Sequence, residues 1–258
     1  MVGMTKASIV EQAAAQWRAA SYSHPGSRDN NEDSVEIATD GVRACFVVAD
    51  GLGGHAGGER ASRLAVDATL EHWRAGAGRP LRELLTGMVE AAHTAVRRVQ
   101  RVEPALADMR TTLVMLVIDG DRAGWAHVGD SRLYRFEADR IVWQTKDHSV
   151  PQFLVANGEI EATAIRNHPD RSRLLGTLGN DEDQVFPSLR ELERPLATGD
   201  SFVLCTDGFW EDVLEPTMES SWQKDSAPRA WVEGLGGAVE AKGRSDRDNC
   251  TVLAVRIS

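Results

Sequence analysis

Residues 46–58 read FVVADGLGGHAGG. They close a longer segment, VRACFVVAD over 42–50, whose β-branched and aromatic content is that of a buried strand. The strand stops at Asp50, and five of the next eight residues are glycine. A carboxylate at the lip of a sheet core is costly unless something compensates it. The glycines strip Cβ atoms from the following turn, so backbone can come close to whatever the carboxylate serves. The signature recurs along the chain. Asp130 follows AHVG, Asp207 closes SFVLCTD, and Asp248 opens the last strand in RDN. Asp50, Asp130 and Asp207 adjoin Gly51, Gly129 and Gly208, and Glu32 and Asp33 stand side by side in NNED.

A single Asp-Gly is a turn or a strand cap. Several at matching strand ends repel one another, and divalent cations make such a group tolerable. Hard ions such as Mg²⁺ and Mn²⁺ take oxygen ligands. A pair of them about 3.5–4 Å apart supplies an activated water and grips a phosphoryl group. Spacing alone does not separate a phosphatase from another two-metal hydrolase.

The 258 residues, 42% hydrophobic and 26% charged, suit one large domain over 1–258 with a substantial core. The net charge of −10 argues against a nucleic-acid or anionic-membrane partner. No apolar run approaches the ~20 residues of a membrane span, and the first residues lack the apolar centre of a secretion signal. Cys45, Cys205 and Cys250 are far apart in strand-like runs, without CxxC spacing, and read as buried thiols of a cytoplasmic protein.

Further strands are read at 111–119, 123–129, 131–144 (with a hairpin at EADR), 201–207 and 250–257. Helical periodicity marks 58–74 and 81–99. Strands in runs and helices in pairs favour packed sheets flanked by helices, an α+β arrangement. Residues 148–180 interrupt two strand groups and read as a flap. The start, KASIVEQAAAQWRAA, is left open between strand and helix. Trp73 and Trp125 read as core, Trp210 as core or cleft floor, and His148 and His168 as turn residues.

In order, RDNNEDS (28–34), VADGLGGHAGGERAS (48–62), TTLV (111–114), AHVGDSRLY (126–134), KDHS (146–149), GEI (158–160), LCTDGFWE (204–211) and RDNCTVLAV (247–255) resemble the metal-dependent protein serine/threonine phosphatases of type 2C, in their compact bacterial branch. The resemblance implies a four-layer α-β-β-α sandwich of two antiparallel sheets. It implies a binuclear Mn²⁺ or Mg²⁺ centre with Asp50 bridging, the Gly51 carbonyl on the second ion, and Asp207 and Asp248 completing the first. Glu32 and Asp33 would hold metal-bound waters, and Asp130 with Asp207 a third ion. Arg28 would grip the substrate phosphate, with Asn249 beside it.

Animal-type members carry histidine after the Asp-Gly pair, where this chain has Leu52. His55 is then either a general acid or a support of the loop. Arg110, where relatives often have glycine, is either a surface residue or a second anion contact. The implied activity is hydrolysis of phosphoserine and phosphothreonine in proteins, by a monomer that opposes a bacterial Ser/Thr kinase. Flap similarity extends this to type VI secretion, with a forkhead-associated-domain protein as target. Alternatives are a partner-switching phosphatase for an anti-sigma antagonist, which the flap disfavours, and a non-catalytic module, which the intact carboxylates disfavour.

Overall fold

The computed structural model describes residues 7–53, 57–181, 185–224, 227–242 and 245–258. In order come β1 (Ser8–Ala13), β2 (Trp17–His24), β3 (Asp33–Thr39), β4 (Arg43–Leu52), α1 (Gly57–Ala75) and α2 (Leu81–Val102). Then follow β5 (Arg110–Thr111), β6 (Leu113–Asp119), β7 (Arg122–Val128), β8 (Arg132–Glu137) and β9 (Arg140–Gln144). After α3 (Val150–Ala156) come β10 (Ser188–Glu191), β11 (Ser201–Cys205), α4 (Asp207–Trp210), α5 (Glu215–Lys224), α6 (Pro228–Ala241) and β12 (Cys250–Ile257). One antiparallel sheet has the order β1-β2-β12-β11-β8-β9. The other runs β10-β7-β6-β4-β3, with β5 paired to β4.

The period of two along each strand sorts side chains into separate cores. On β4, Cys45, Val47 and Ala49 face α1 and α2, where Leu70, Trp73, Leu85 and Met88 cover them. Ala44, Phe46 and Val48 face the other sheet and meet Trp17, Phe202, Leu204 and Leu253. On β11, Val203 and Cys205 turn outward to a third core closed by α4, α5 and α6 through Phe209, Met218 and Trp231. Three cores between four layers make the expected α-β-β-α sandwich. Trp73 and Trp125 are both in the core at 1% exposure.

The N-terminal segment is a hairpin. Ser8 pairs with Ser23 and Ala13 with Arg18. Its second strand alternates Trp17 and Ala19 toward one core with Ala20 and Tyr22 toward another. Three consecutive buried small residues, Ala19, Ala20 and Ser21, hid that alternation. The flap leaves β9 at His148 and is pinned where it returns: Val150 N donates to Arg173 O, Leu175 N to His148 O, and Leu178 bridges Thr111. Ser149 caps α3 by accepting from Gln152 N.

Candidate metal centre and substrate cleft

The alternation that builds the inter-sheet core also aims the acids. Asp50 continues the row Ala44, Phe46, Val48, and Asp33 continues the row Val35, Ile37 of β3. Asp33 and Asp50 are register partners. From the opposite sheet, Thr206 and Thr251 extend the inward rows of β11 and β12, and Asp207 follows Thr206 at the start of α4. The inter-sheet core therefore runs out into hydroxyls and then carboxylates at one end.

The hydroxyls hold the acids in place. Thr206 Oγ1 donates to Asp33 Oδ2 at 2.9 Å, and Ser23 and Thr251 hydroxyls share a bond of 2.8 Å. Asp50 N donates to Thr112 Oγ1 at 2.9 Å, while Thr111 Oγ1 donates to Asp50 O at 2.7 Å. Beneath Asp130, Trp210 Nε1 donates to the Asp130 carbonyl at 2.9 Å. No role was read for these threonines in the sequence; Thr206, next to Asp207, carried a local signal, a hydroxyl residue adjoining a strand-end acid, and the other three did not.

The electrostatics are adverse without cations. Burial, then Asp207, Asp33 and Asp130, push the Asp50 carboxyl well above its usual range. Asp130 is raised likewise by burial, Asp207 and Asp147. Asp33 and Asp207 are pushed up to about 7, again mainly by burial. Glu32 is raised by burial and by Asp248. Hydrogen bonding to the Asp50 side chain partly offsets the rise at Asp207. Asp33 Oδ1 is buried with no hydrogen-bond partner among the described residues. An all-oxygen donor set, mutual repulsion and an orphaned carboxylate oxygen fit hard divalent ions. The acids are neighbours without being closed around a point: among the described residues no three His, Cys, Asp or Glu side chains stand in a metal-ligating array. Asp33 is bonded to Thr206, and Asp248 to Arg28.

A cleft of about 620 Å³ opens above them, lined by Arg28, Glu32, Asp50, Gly51, Asp207, Asp248 and the flap residue Ser172 among others. Arg28 Nη2 lies 2.9 Å from Asp248 Oδ2. The phosphate grip and the ion ligand expected from the sequence are thus partners of one another here. Asn249 lines the cleft, but its amide is spent inward. Oδ1 accepts from Glu32 N at 2.7 Å, and Nδ2 donates to the carbonyls of Pro25 and Asn30 at 2.9 and 3.0 Å. It fixes the loop that carries Arg28 and Glu32, and both amide hydrogens are engaged there.

His55 lies outside the described residues. Trp210 is 1% exposed and stands under Asp130, away from the cleft surface. Arg110 is half-exposed, 3.8 Å from Asp181, and is not part of the cleft lining. His168 Nδ1 accepts from Asp170 N, a turn bond as expected, and His148 joins Gly129 to Ser188.

Two glycines are fixed by crowding. A Cβ on Gly51 would strike the Gly58 carbonyl oxygen, and one on Gly58 the Glu32 carboxylate. Gly51→Ala is expected to cost about 1–3 kcal/mol in denaturant unfolding by overpacking. Gly58→Ala should instead displace Glu32 and weaken Mn²⁺ binding in calorimetry, and an unchanged affinity would disprove that link.

A sandwich whose two sheets converge on a carboxylate cluster under an open cleft defines a class of metal-dependent hydrolase fold. The family model described as protein phosphatase 2C matches residues 20–233, and the chain belongs to that family. It is 35% identical over 196 residues to the serine/threonine protein phosphatase PstP of Mycobacterium tuberculosis, a match covering 76% of this chain and 37% of that protein. The chain thus spans about a third of the length of this relative. A crystal structure of the PstP catalytic domain in complex with two manganese ions superposes with TM-score 0.79 at 31% identity, over 94% of this chain and 98% of that one. PppA, described as a key regulatory component of the type VI secretion system in Pseudomonas aeruginosa, superposes with TM-score 0.78 at 31% identity, over 95% and 99%. Among the described residues no helix is long and apolar enough to cross a membrane.

Proposed function

We propose that this chain hydrolyses phosphoserine and phosphothreonine in proteins with water activated at a Mn²⁺ or Mg²⁺ centre. The observation that carries the reading is the convergence of the buried Asp33 and Asp130 with the half-buried Asp50 and Asp207, mutually repelling, beneath the cleft. Asp50, Asp207, Asp248 and the Gly51 carbonyl are the direct ligands in this reading. Glu32 and Asp33 would contribute through water, and Asp130 with Asp207 would hold a further ion. When bound, the ions supply a water of lowered pKa and neutralise charge on the phosphoryl group.

The chain's own groups do the rest. Arg28 presents a planar fork of donors to the phosphate oxygens, which suits it to charge that grows there in the transition state. To do so it exchanges Asp248 for the substrate, so one swing frees a ligand and a clamp together. Asn249 holds the backbone of both Arg28 and Glu32 in register with the acids. The thiols are core residues, so attack by water from solvent accords with the site better than a covalent route.

The test is release of phosphate from phosphothreonine peptides and from para-nitrophenyl phosphate, with Mn²⁺ and with a chelator. No metal-dependent release from either would end the proposal. Arg28→Lys is expected to raise KM for a phosphopeptide about tenfold, the worth of roughly one charged hydrogen bond, in steady-state kinetics. The likeness to PppA supports, as a narrower proposal, a target in type VI secretion such as a forkhead-associated-domain protein, with an opposing Ser/Thr kinase. PstP is alike to the same degree, so a screen of phosphorylated partners by mass spectrometry decides that level.

A further inference from the structure

The flank of the sandwich opposite β1 and β3 is open, because β9 ends one sheet and β10 ends the other there. Between them lies a cavity of about 480 Å³, lined by Trp125 and His127 of β7, Trp143 of β9, Lys146, Arg82 and the strand β10. That volume falls in the range of small-molecule pockets. Its lining differs from that of the catalytic cleft at every position.

Trp125 and His127, 1% and 2% exposed, follow Ala123 on the inter-sheet face of β7. Trp125 Nε1 and His127 Nδ1 are both buried and have no hydrogen-bond partner among the described residues. The Lys146 carbonyl, 2.8 Å from His127 Nε2, can only accept, so Nε2 carries the proton and Nδ1 presents a lone pair. Burial and His148 push the ring's pKa down to about 4, which keeps it in that neutral form. An indole donor and an imidazole acceptor therefore sit two residues apart, each unmatched. Both residues line this cavity, and a group entering from outside would complete the pair.

The rim supplies a stacking surface and charge. The Trp143 ring lies 5.0 Å from that of Trp125, and the Arg190 guanidinium stands 5.4 Å over it. Two rim acids are already matched, Glu191 by Arg122 at 3.1 Å and Glu193 by Arg190 at 3.4 Å. Arg82 and Lys146 are exposed with no acidic partner among the described residues. In a chain of net charge −10, two unspent cations over an aromatic cavity favour an anion with a planar ring.

We propose that this flank cavity binds a nucleoside monophosphate, with the base against Trp143 and the edge groups of Trp125 and His127, and the phosphate on Arg82 and Lys146. The site is independent of the catalytic reading. The test is calorimetric titration of the manganese-loaded full chain with a non-hydrolysable phosphonate analogue of AMP, with adenosine, and with inorganic phosphate. The analogue is expected to bind one-to-one with a Kd below about 1 mM, and adenosine and phosphate each about tenfold more weakly. Arg82→Ala with Lys146→Ala, both exposed and so compatible with folding, should weaken the analogue about tenfold at an unchanged melting temperature. Arg28→Ala in the catalytic cleft should leave the affinity as it is. Absence of binding at millimolar concentration, loss through Arg28→Ala and not through the rim pair, or phosphate binding as well as the nucleotide would each overturn the proposal.

Discussion

Asp50→Asn is expected to lower Mn²⁺-dependent phosphate release by at least about a thousandfold while raising the melting temperature of the metal-free chain. The two signs have one cause. Asp50 is half-buried among Asp33, Asp130 and Asp207, and its charge is costly without cations. Removing the charge relieves the metal-free chain of a repulsion. It also takes away a carboxylate proposed as a direct metal ligand, and several kcal/mol of charge stabilisation at the phosphoryl group correspond to about three orders of magnitude in rate. Paired melts in chelator and in Mn²⁺ separate the effects: the parent gains strongly from the ion, and the variant gains little. Retained turnover would refute the assignment of Asp50, and a lower metal-free melting temperature would refute the electrostatic account.

The second large effect lies below the site. Arg132 is held by Asp147 through two bonds, Nε to Oδ1 at 2.9 Å and Nη2 to Oδ2 at 2.8 Å, with both side chains almost wholly buried. Its guanidinium lies 3.5 Å from the Trp210 ring centre and donates to Tyr134 Oη at 3.2 Å. Asp147→Ala removes both of its close bonds, leaves the cation only Glu215, 3.9 Å from Nη1, and is expected to cost about 3–5 kcal/mol. For a chain of this size the melting temperature should fall by roughly 6–20 °C. Turnover should fall as well, since Trp210 carries the Asp130 carbonyl. Replacing both partners at once, Arg132→Met with Asp147→Leu, should recover most of the stability, because an apolar pair leaves no orphaned charge. If the double variant is as unstable as the single one, packing and not the ion pair is responsible.

Much of this was legible in the chain itself. Asp50, Asp130 and Asp207 were visible because each ends an apolar run, and Asp248 because it stands just before one; such an acid at a strand end has few physical reasons. The helices at 57–75 and 81–102 followed from a clean 3.6 period. β2 was obscure because Ala19, Ala20, Ser21 and the residues around them are buried on both faces, so the alternation that marks a half-exposed strand is absent. α6, with glycine at 234, 236 and 237, lies against Tyr22 and the sheet, and tertiary packing overrides its poor helix propensity. The inward commitment of the Asn249 amide is a matter of three backbone groups brought from 25–32, more than two hundred residues away. No local pattern carries that.

The three cysteines are divided between the outer cores: Cys45 lies under α1 and α2, Cys205 and Cys250 under α4 to α6, all buried and with thiols pushed up by burial. Peroxide and alkylating reagents act on thiolates that reach solvent, so the native chain offers them nothing. Reagent uptake then becomes a clock for opening. Modification at Cys45 times the parting of one helix pair from its sheet, and modification at Cys205 or Cys250 times the other, so the order of labelling reports which half of the sandwich comes apart first.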